Sequence, residues 1–364
     1  MRTTIFRENT GEKKGGRKNT YIELNLNYEP ETFVSDITAL SNEEWLQYRR
    51  QGIGGSDAAA ACGVSPWKTA RDLYLEKAEG VSHDEPEKNW VALEIGKRLE
   101  ELVVQIFMRQ TGLKPYAVRK MFRHPFYPFM LADVDYFVKI REDIYVVECK
   151  TSFSYRMDEW ADGNVPLHYE LQGRHYAAVT NTKGIIFLCL HGNSEDTFLM
   201  RKIERDLKQE ADLIEQEAYF WNEFVLKRQA PEYTEPSSLV INSLKKQLQI
   251  REEKTVELSR ELSPNILTYL KLKEKKEEAD ALSRNLEKQI KGITAPIRSA
   301  LDDAQIGQIK IDGVSYQAGY TKRVITSIPK NKLEAMRLLH PDIYQEYGKT
   351  TTSFSFYIKE EKAG

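Results

Sequence analysis

The sequence predicts an α/β protein built on a mixed sheet, and two observations carry that expectation. From about residue 91 to residue 226 the chain reads helix, hairpin, helix, strand, helix, an order that lays helices against a sheet. Within it, short runs of Val, Ile, Tyr and Phe alternate with stretches whose apolar residues recur every three or four positions. The 364 residues suffice for two or three domains, and a net charge of −2 gives no overall pull toward nucleic acid or an anionic membrane. Any nucleic-acid contact must come from a local patch. Cys62, Cys149 and Cys189 lie far apart and no C-x-x-C pair or His/Cys cluster occurs, which argues against zinc and iron–sulfur centres. Few cysteines and no signal peptide suggest a reducing cytoplasm, and no run of about twenty apolar residues could span a membrane.

The first twenty residues, with Lys13, Lys14, Arg17 and Lys18, read as a flexible basic arm, and Tyr21 to Leu26 as a short strand. Ser41-Asn42-Glu43-Glu44 is a capping box that opens a helix ending at Arg49-Arg50. Ile53-Gly54-Gly55-Ser56-Asp57 then leads into a small-residue helix. Such a start offers free backbone N–H groups to an anion, and Arg50 beside it makes a phosphate plausible; the alternative is a tight turn into a buried alanine helix. Ser65-Pro66-Trp67 begins a further helix through Leu75. Over residues 91–111, Ile95, Leu99, Leu102, Val103 and Ile106 recur at helical spacing, with Gly112 as the stop. At about 100° per residue, Glu100 falls at the edge of that stripe and Glu101 faces water. Arg109, Lys114, Arg119, Lys120 and Arg123 follow with no acidic residue among them, forming the local basic patch.

The chemistry concentrates in the hairpin. Strand side chains alternate faces, so Glu148 and Lys150 share one face, roughly 7 Å apart. Whether Asp135 joins them depends on the turn at Arg141-Glu142-Asp143. Pairing Ile140 with Ile144 puts Asp135 on the wrong face; pairing Lys139 with Ile144, or a bulge, brings it opposite Glu148. Two carboxylates and a lysine at a sheet surface suit a hard cation such as Mg²⁺, and phosphodiester cleavage uses that metal with a positive group near the attacking water.

Beyond the hairpin, residues 160–166 read as a loop, and 168–179 as a helix carrying Tyr169, Gln172, His175 and Tyr176. Residues 184–190 read as a buried strand and 204–226 as an amphipathic helix. The expected division is an arm over 1–38, the core over 39–230, two charged helices hinged near Ser263-Pro264-Asn265 over 231–300, packed as a hairpin or coiled coil, and a small α/β module over 301–364. That module holds two strands around Asp312-Gly313, a helix from Asn331 to Leu339 and a strand through Phe354, Phe356 and Ile358.

Several of these stretches together resemble the YqaJ-like phage recombinases of the lambda exonuclease group, within the PD-(D/E)XK nucleases. They are Arg49 to Ala59, Gly63-Val64-Ser65-Pro66-Trp67, Gly96 to Glu100, Asp135, Glu148-Cys149-Lys150-Thr151 and Tyr169 to Tyr176, in order over about half the chain. The resemblance implies a restriction-endonuclease-like core. It implies that Asp135, Glu148 and the Cys149 carbonyl hold Mg²⁺, with Mn²⁺ as a substitute. It gives Glu100 a place in the acidic cluster. Lys150 would orient or deprotonate water and stabilise the pentacovalent phosphate, Gln172 would position Lys150, and Arg50 and Ser56 would receive a 5′-terminal phosphate. Asp133 and Tyr136 depart from the family's small residue and glycine, which places a possible metal competitor beside the site and narrows the cleft. The implied function is a cytoplasmic, phage- or prophage-encoded 5′→3′ exonuclease on double-stranded DNA, oligomeric, feeding a RecT-type annealing protein. An endonuclease or nickase, or a non-catalytic DNA-binding protein on the same fold, is the alternative.

Overall fold

The structure, a computed structural model, describes residues 24–81, 86–248, 255–320 and 330–347. They form two compact units, residues 1–251 and 252–364.

The first unit contains two four-stranded sheets. One orders as β1 (Glu31–Val34), β3 (Met121–Arg123), β4 (Met130–Ala132) and β2 (Ile53–Gly54). The other, which carries the chemistry, orders as β5 (Tyr136–Ile140), β6 (Asp143–Ser152), β7 (Gly184–His191) and β8 (Phe198–Glu204). It is mixed: β6 runs parallel to β7, and both outer pairs are antiparallel. β7 is buried throughout, as a central strand covered on both faces should be.

Two helices supply those covers. Val103, Ile106 and Phe107 of α4 (Pro86–Thr111) pack on the face that carries Tyr145, Val147, Ile186 and Leu188. Tyr176, Ala178 and Val179 of α5 (Leu167–Thr180) pack with Ile214 of α6 (Leu207–Tyr219) on the face that carries Val146, Ile185 and Phe187. The alternation along β6 thus decides which layer each side chain meets. Ile95 and Leu102, expected on the buried stripe of α4, are exposed; only its C-terminal half is sealed against the sheet. Gly112 ends α4 with φ +73, as a C-cap should. β8 stands where the sequence suggested only the approach to a helix, because its alternation of buried and exposed residues is short and charged.

Two helices precede the site. Ser41 caps α1 (Asn42–Arg50) in the expected reciprocal box with Glu44, and α2 spans Gly55–Ala61. The helix expected after Trp67 is α3 (Ala70–Tyr74), capped by Thr69. The strand expected at Tyr21–Leu26 lies mostly outside the described residues, and residues 24–30 are irregular.

The expected hairpin over 231–300 is corrected. A short helix, α7 (Ser237–Leu248), belongs to the first unit, where Ser243 Oγ donates to Asp72 at 2.6 Å and Gln247 Nε2 donates to Tyr233 at 2.9 Å. In the second unit one unbroken helix, α8 (Ser263–Leu301), begins at the residues read as a hinge, because Pro264 sits in its first turn, where a missing N–H costs nothing. β9 (Ile306–Ile311) and β10 (Val314–Gly319) form the hairpin foreseen at Asp312-Gly313, both of which take positive φ. Helices α9 (Lys330–Leu339) and α10 (Pro341–Tyr347) follow, and the strand expected through Phe354 lies outside the described residues.

These contacts place the folding boundary near residue 251 rather than 231. A chain ending at Arg251 should melt cooperatively by circular dichroism. One ending at Glu232 should lose roughly 2–4 kcal/mol, because buried Asp72 forfeits Ser243 and the Ala70 N–H forfeits Glu235. Equal melting of the two would refute the assignment of α7.

Candidate active site

β5 and β6 join through a two-residue turn, with Ile140 opposite Asp143 and Lys139 opposite Ile144. Arg141 takes φ 57 to close it. Of the registers open to the sequence, the one pairing Lys139 with Ile144 is realised. Extending the ladder beyond Tyr136 and Val147 brings Asp135 beside Glu148. Asp135 precedes the strand, so its carboxylate does the work of a missing backbone acceptor: the Cys149 N–H donates to Asp135 Oδ2 at 2.9 Å. A strand residue's N–H and C=O leave on the same side, so the Cys149 carbonyl faces the same gap.

Glu148 is only 4% exposed. Its Oε1 accepts from Lys150 Nζ and from Gln172 Nε2, both at 2.7 Å. Its Oε2 is buried with no hydrogen-bond partner, an uncompensated lone pair that a cation would satisfy. Gln172 also reaches the Tyr176 hydroxyl at 3.3 Å. Burial pushes the Glu148 carboxyl up to about 7, with Asp135 adding to the rise and Lys150 opposing it. Burial likewise raises Asp135 to about 6, against Lys150 and with Glu100. Burial works against charge on Lys150, but Glu148 and Asp135 outweigh it and hold the ammonium above its usual pKa. Glu100 arrives from α4, on the other face of the sheet, bonded to Tyr136. Burial raises its pKa and Glu148 adds to the rise, against Arg119. Glu101 is exposed, as the helical wheel required.

The residues fit a hard divalent cation. Asp135, Glu148 and the Cys149 carbonyl are oxygen donors, and the two carboxyls give up protons reluctantly because they are buried and Lys150 only partly offsets that burial. No three His, Cys, Asp or Glu side chains among the described residues converge closely enough to hold an ion unaided. A cation here would complete its shell with the carbonyl and water, as Mg²⁺ commonly does. Glu100 stands at the rim of this set.

The corner expected to hold Arg50 beside Ser56 holds Arg49 instead. Arg50 is exposed, lying toward Gly80, whereas the guanidinium beside Ser56 belongs to Arg49. Arg49 Nη2 donates to Ser56 Oγ at 2.9 Å and pairs with Asp57 at 3.1 Å; Nη1 pairs with Asp133 at 3.2 Å. Trp45, one turn earlier on α1, lies under the guanidinium and donates its indole N–H to Asp133. Asp133 is therefore held by Arg49 and Trp45, while its charge adds to the rise at Asp135 and Glu148. The backbone N–H expected to meet an anion is also engaged, since Gly54 N donates to Asp57 at 3.1 Å. Lys77 Nζ completes the corner, 2.8 Å from Asp57. Burial would raise the Asp57 carboxyl, yet Lys77 and Arg49 hold it far below the usual range. A Cβ at Gly54 would overlap the Arg49 guanidinium, and one at Gly55 the Tyr176 ring, so the paired glycines give these side chains room. Sequence reasoning missed Arg49, Lys77 and Tyr176 as site residues. The four-residue step from Trp45 to Arg49 was the available signal for the first; Lys77 had none.

The fold and the site define an α/β protein with a buried, lysine-bearing carboxylate centre on adjacent strands. The model of the YqaJ-like viral recombinase domain matches residues 44–183, which contain every element of that centre. The uncharacterized protein YqaJ of Bacillus subtilis (strain 168) is 33% identical over 324 residues, covering 88% of this chain and 95% of that protein. The chain belongs to the YqaJ-like viral recombinase family. Among solved structures, an alkaline exonuclease from Laribacter hongkongensis aligns with TM-score 0.43 and 20% identity, over 52% of this chain and 98% of that one. The crystal structure of SSO0001 aligns with TM-score 0.29 and 14% identity, over 50% of this chain and 85% of that one.

The raised carboxyls give a test independent of catalysis. The metal-free folded state keeps protons that the unfolded chain releases, so its stability is full near pH 4 and falls as pH rises through about 6 to 7. Asp135→Asn keeps an acceptor for Cys149 N–H and removes one charge. It should raise the metal-free melting temperature by a few degrees at pH 8, on the order of 1 kcal/mol, and change it little at pH 4.5. Mg²⁺ should raise the melting temperature of the wild type and not of the variant. Calorimetry showing no pH-dependent difference would contradict the electrostatic account.

Proposed function

We propose that the protein is a divalent-metal-dependent deoxyribonuclease that digests duplex DNA from its 5′ ends, leaving 3′ single strands for homologous recombination. The observation that supports it most is Glu148, with one oxygen held by Lys150 and Gln172 and the other unpartnered beside Asp135. When bound, Mg²⁺ supplies a polarised phosphate oxygen and a more acidic water. Asp135, Glu148 and the Cys149 carbonyl bind it. Gln172 fixes the Glu148 carboxylate and, through it, Lys150. Lys150, kept cationic by both carboxylates, stabilises charge developing on the phosphate rather than taking a proton from water. Terminal-phosphate contact passes from Arg50 to Arg49 and Ser56, which share one corner with Asp133. A RecT-type annealing protein and a ring-shaped oligomer are the partners this reading expects.

Gel assays on 5′-phosphorylated linear duplex and on supercoiled circles, with and without Mg²⁺, test the proposal. The linear substrate should disappear only with metal, and Glu148→Ala should abolish turnover while DNA binding persists, since binding rests on phosphate contacts to cations. Nicked or linearised circles would indicate an endonuclease, and inertness on both substrates a binding protein.

Replacing Arg49 by Lys keeps the charge and loses the planar fork. It should slow digestion of 5′-phosphorylated ends on the order of ten- to a hundredfold more than of 5′-hydroxyl ends. Arg50→Ala should leave both rates nearly unchanged. The reverse pattern would return the phosphate contact to Arg50.

A further inference from the structure

A line of rings and cations leads outward from Lys150. The Lys150 ammonium lies over the Tyr169 ring, 4.9 Å from its centroid. Tyr169 abuts His168 at 4.1 Å, and His168 meets Trp67 edge-on at 5.9 Å. The Arg156 guanidinium, held by a bidentate pair with Glu159, covers Trp67 at 5.3 Å. Just before it in the chain, Phe153 and Tyr155 stack nearly parallel, with centroids 5.4 Å apart and 10° between planes. Trp67, Phe153 and Tyr155 are 57%, 63% and 77% exposed. His168 Nε2, midway along, is buried without a hydrogen-bond partner.

We propose that this track binds unpaired nucleotides of the strand whose phosphate lies at Lys150, with bases stacking on Trp67 and on the Phe153–Tyr155 pair. The inference rests on the nuclease reading and names where its substrate strand runs. Three arguments support it. Glu148 and Lys150 are recessed, with side chains 6% and 18% exposed, so a single strand can reach them where a paired one is obstructed. Exposed rings interleaved with cations are what single-stranded nucleic acid uses, because every base offers a face to stack and every phosphate a charge to pair. The track is also continuous with the catalytic strand: Lys150 belongs to β6, and Phe153 follows that strand's last residue.

The test compares Trp67→Ala and a Phe153→Ser/Tyr155→Ser double variant with wild type, as full chains with matching circular dichroism spectra. Binding of a fluorescent oligothymidylate and of a blunt hairpin duplex is measured by anisotropy in EDTA, where no metal-dependent cleavage occurs. Each variant should lose about tenfold in affinity for the single strand while duplex affinity stays nearly constant. Trp67→Phe, which restores a ring, should recover most of the loss. Unchanged single-strand affinity, equal loss on both ligands, or a wild type that does not bind the oligonucleotide would overturn the track. The nuclease reading fails separately, if wild type with Mg²⁺ leaves linear duplex intact.

Discussion

The site depends on one constraint, the register between β5 and β6. The period of a strand is two, so a slip by one residue would send Asp135 to the face occupied by α4. The turn at Arg141–Glu142 prevents that slip, and the Asp135 bond to Cys149 N–H holds the end where the ladder stops. From there the faces follow. Glu148 and Lys150 look toward α5, where Gln172, Tyr176 and Tyr169 wait, while Tyr136 turns toward Glu100 on α4.

Around this register the molecule separates two kinds of buried charge. Arg49, Asp57, Asp133 and Lys77 balance in number and sign, and Arg49 threads both carboxylates with one guanidinium. Such a set keeps its geometry because removing any member strands another. Asp135, Glu148 and Glu100 are raised first by burial and then by one another, and Lys150 among them offsets only part of the rise for Asp135 and Glu148. The first set is balanced and fixes the Arg49 guanidinium beside Ser56. The second is held under electrostatic tension that a cation would relieve, at the usual cost of function to stability.

Much of this was legible in the sequence because it follows from short-range rules. The Ser41 capping box, the C-cap at Gly112, the turn at Asp312-Gly313 and the exposure of Glu101 each depend on a few neighbours. The register was narrowed to alternatives and no further, since turn composition alone does not choose among loop lengths. What could not be read was set by distant partners. Arg49 rather than Arg50 faces Ser56 because the helix face that carries Trp45 and Arg49 meets Asp133, and the boundary moved because Ser243 finds Asp72 far away in the chain. The half-exposed stripe of α4 made the same point: helical spacing reports a face and not what covers it.

The glycines at 54 and 55 carry no functional atom, yet the Arg49 guanidinium and the Tyr176 ring occupy the volume where their side chains would be. They act as a mould whose empty half is the part that matters. On the proposed nuclease reading, a saturation screen scored by activity alone would rank these positions with Glu148, and the ranking would suggest chemistry where there is only clearance. Separating vacancy from catalysis there requires watching the fold as well as the reaction.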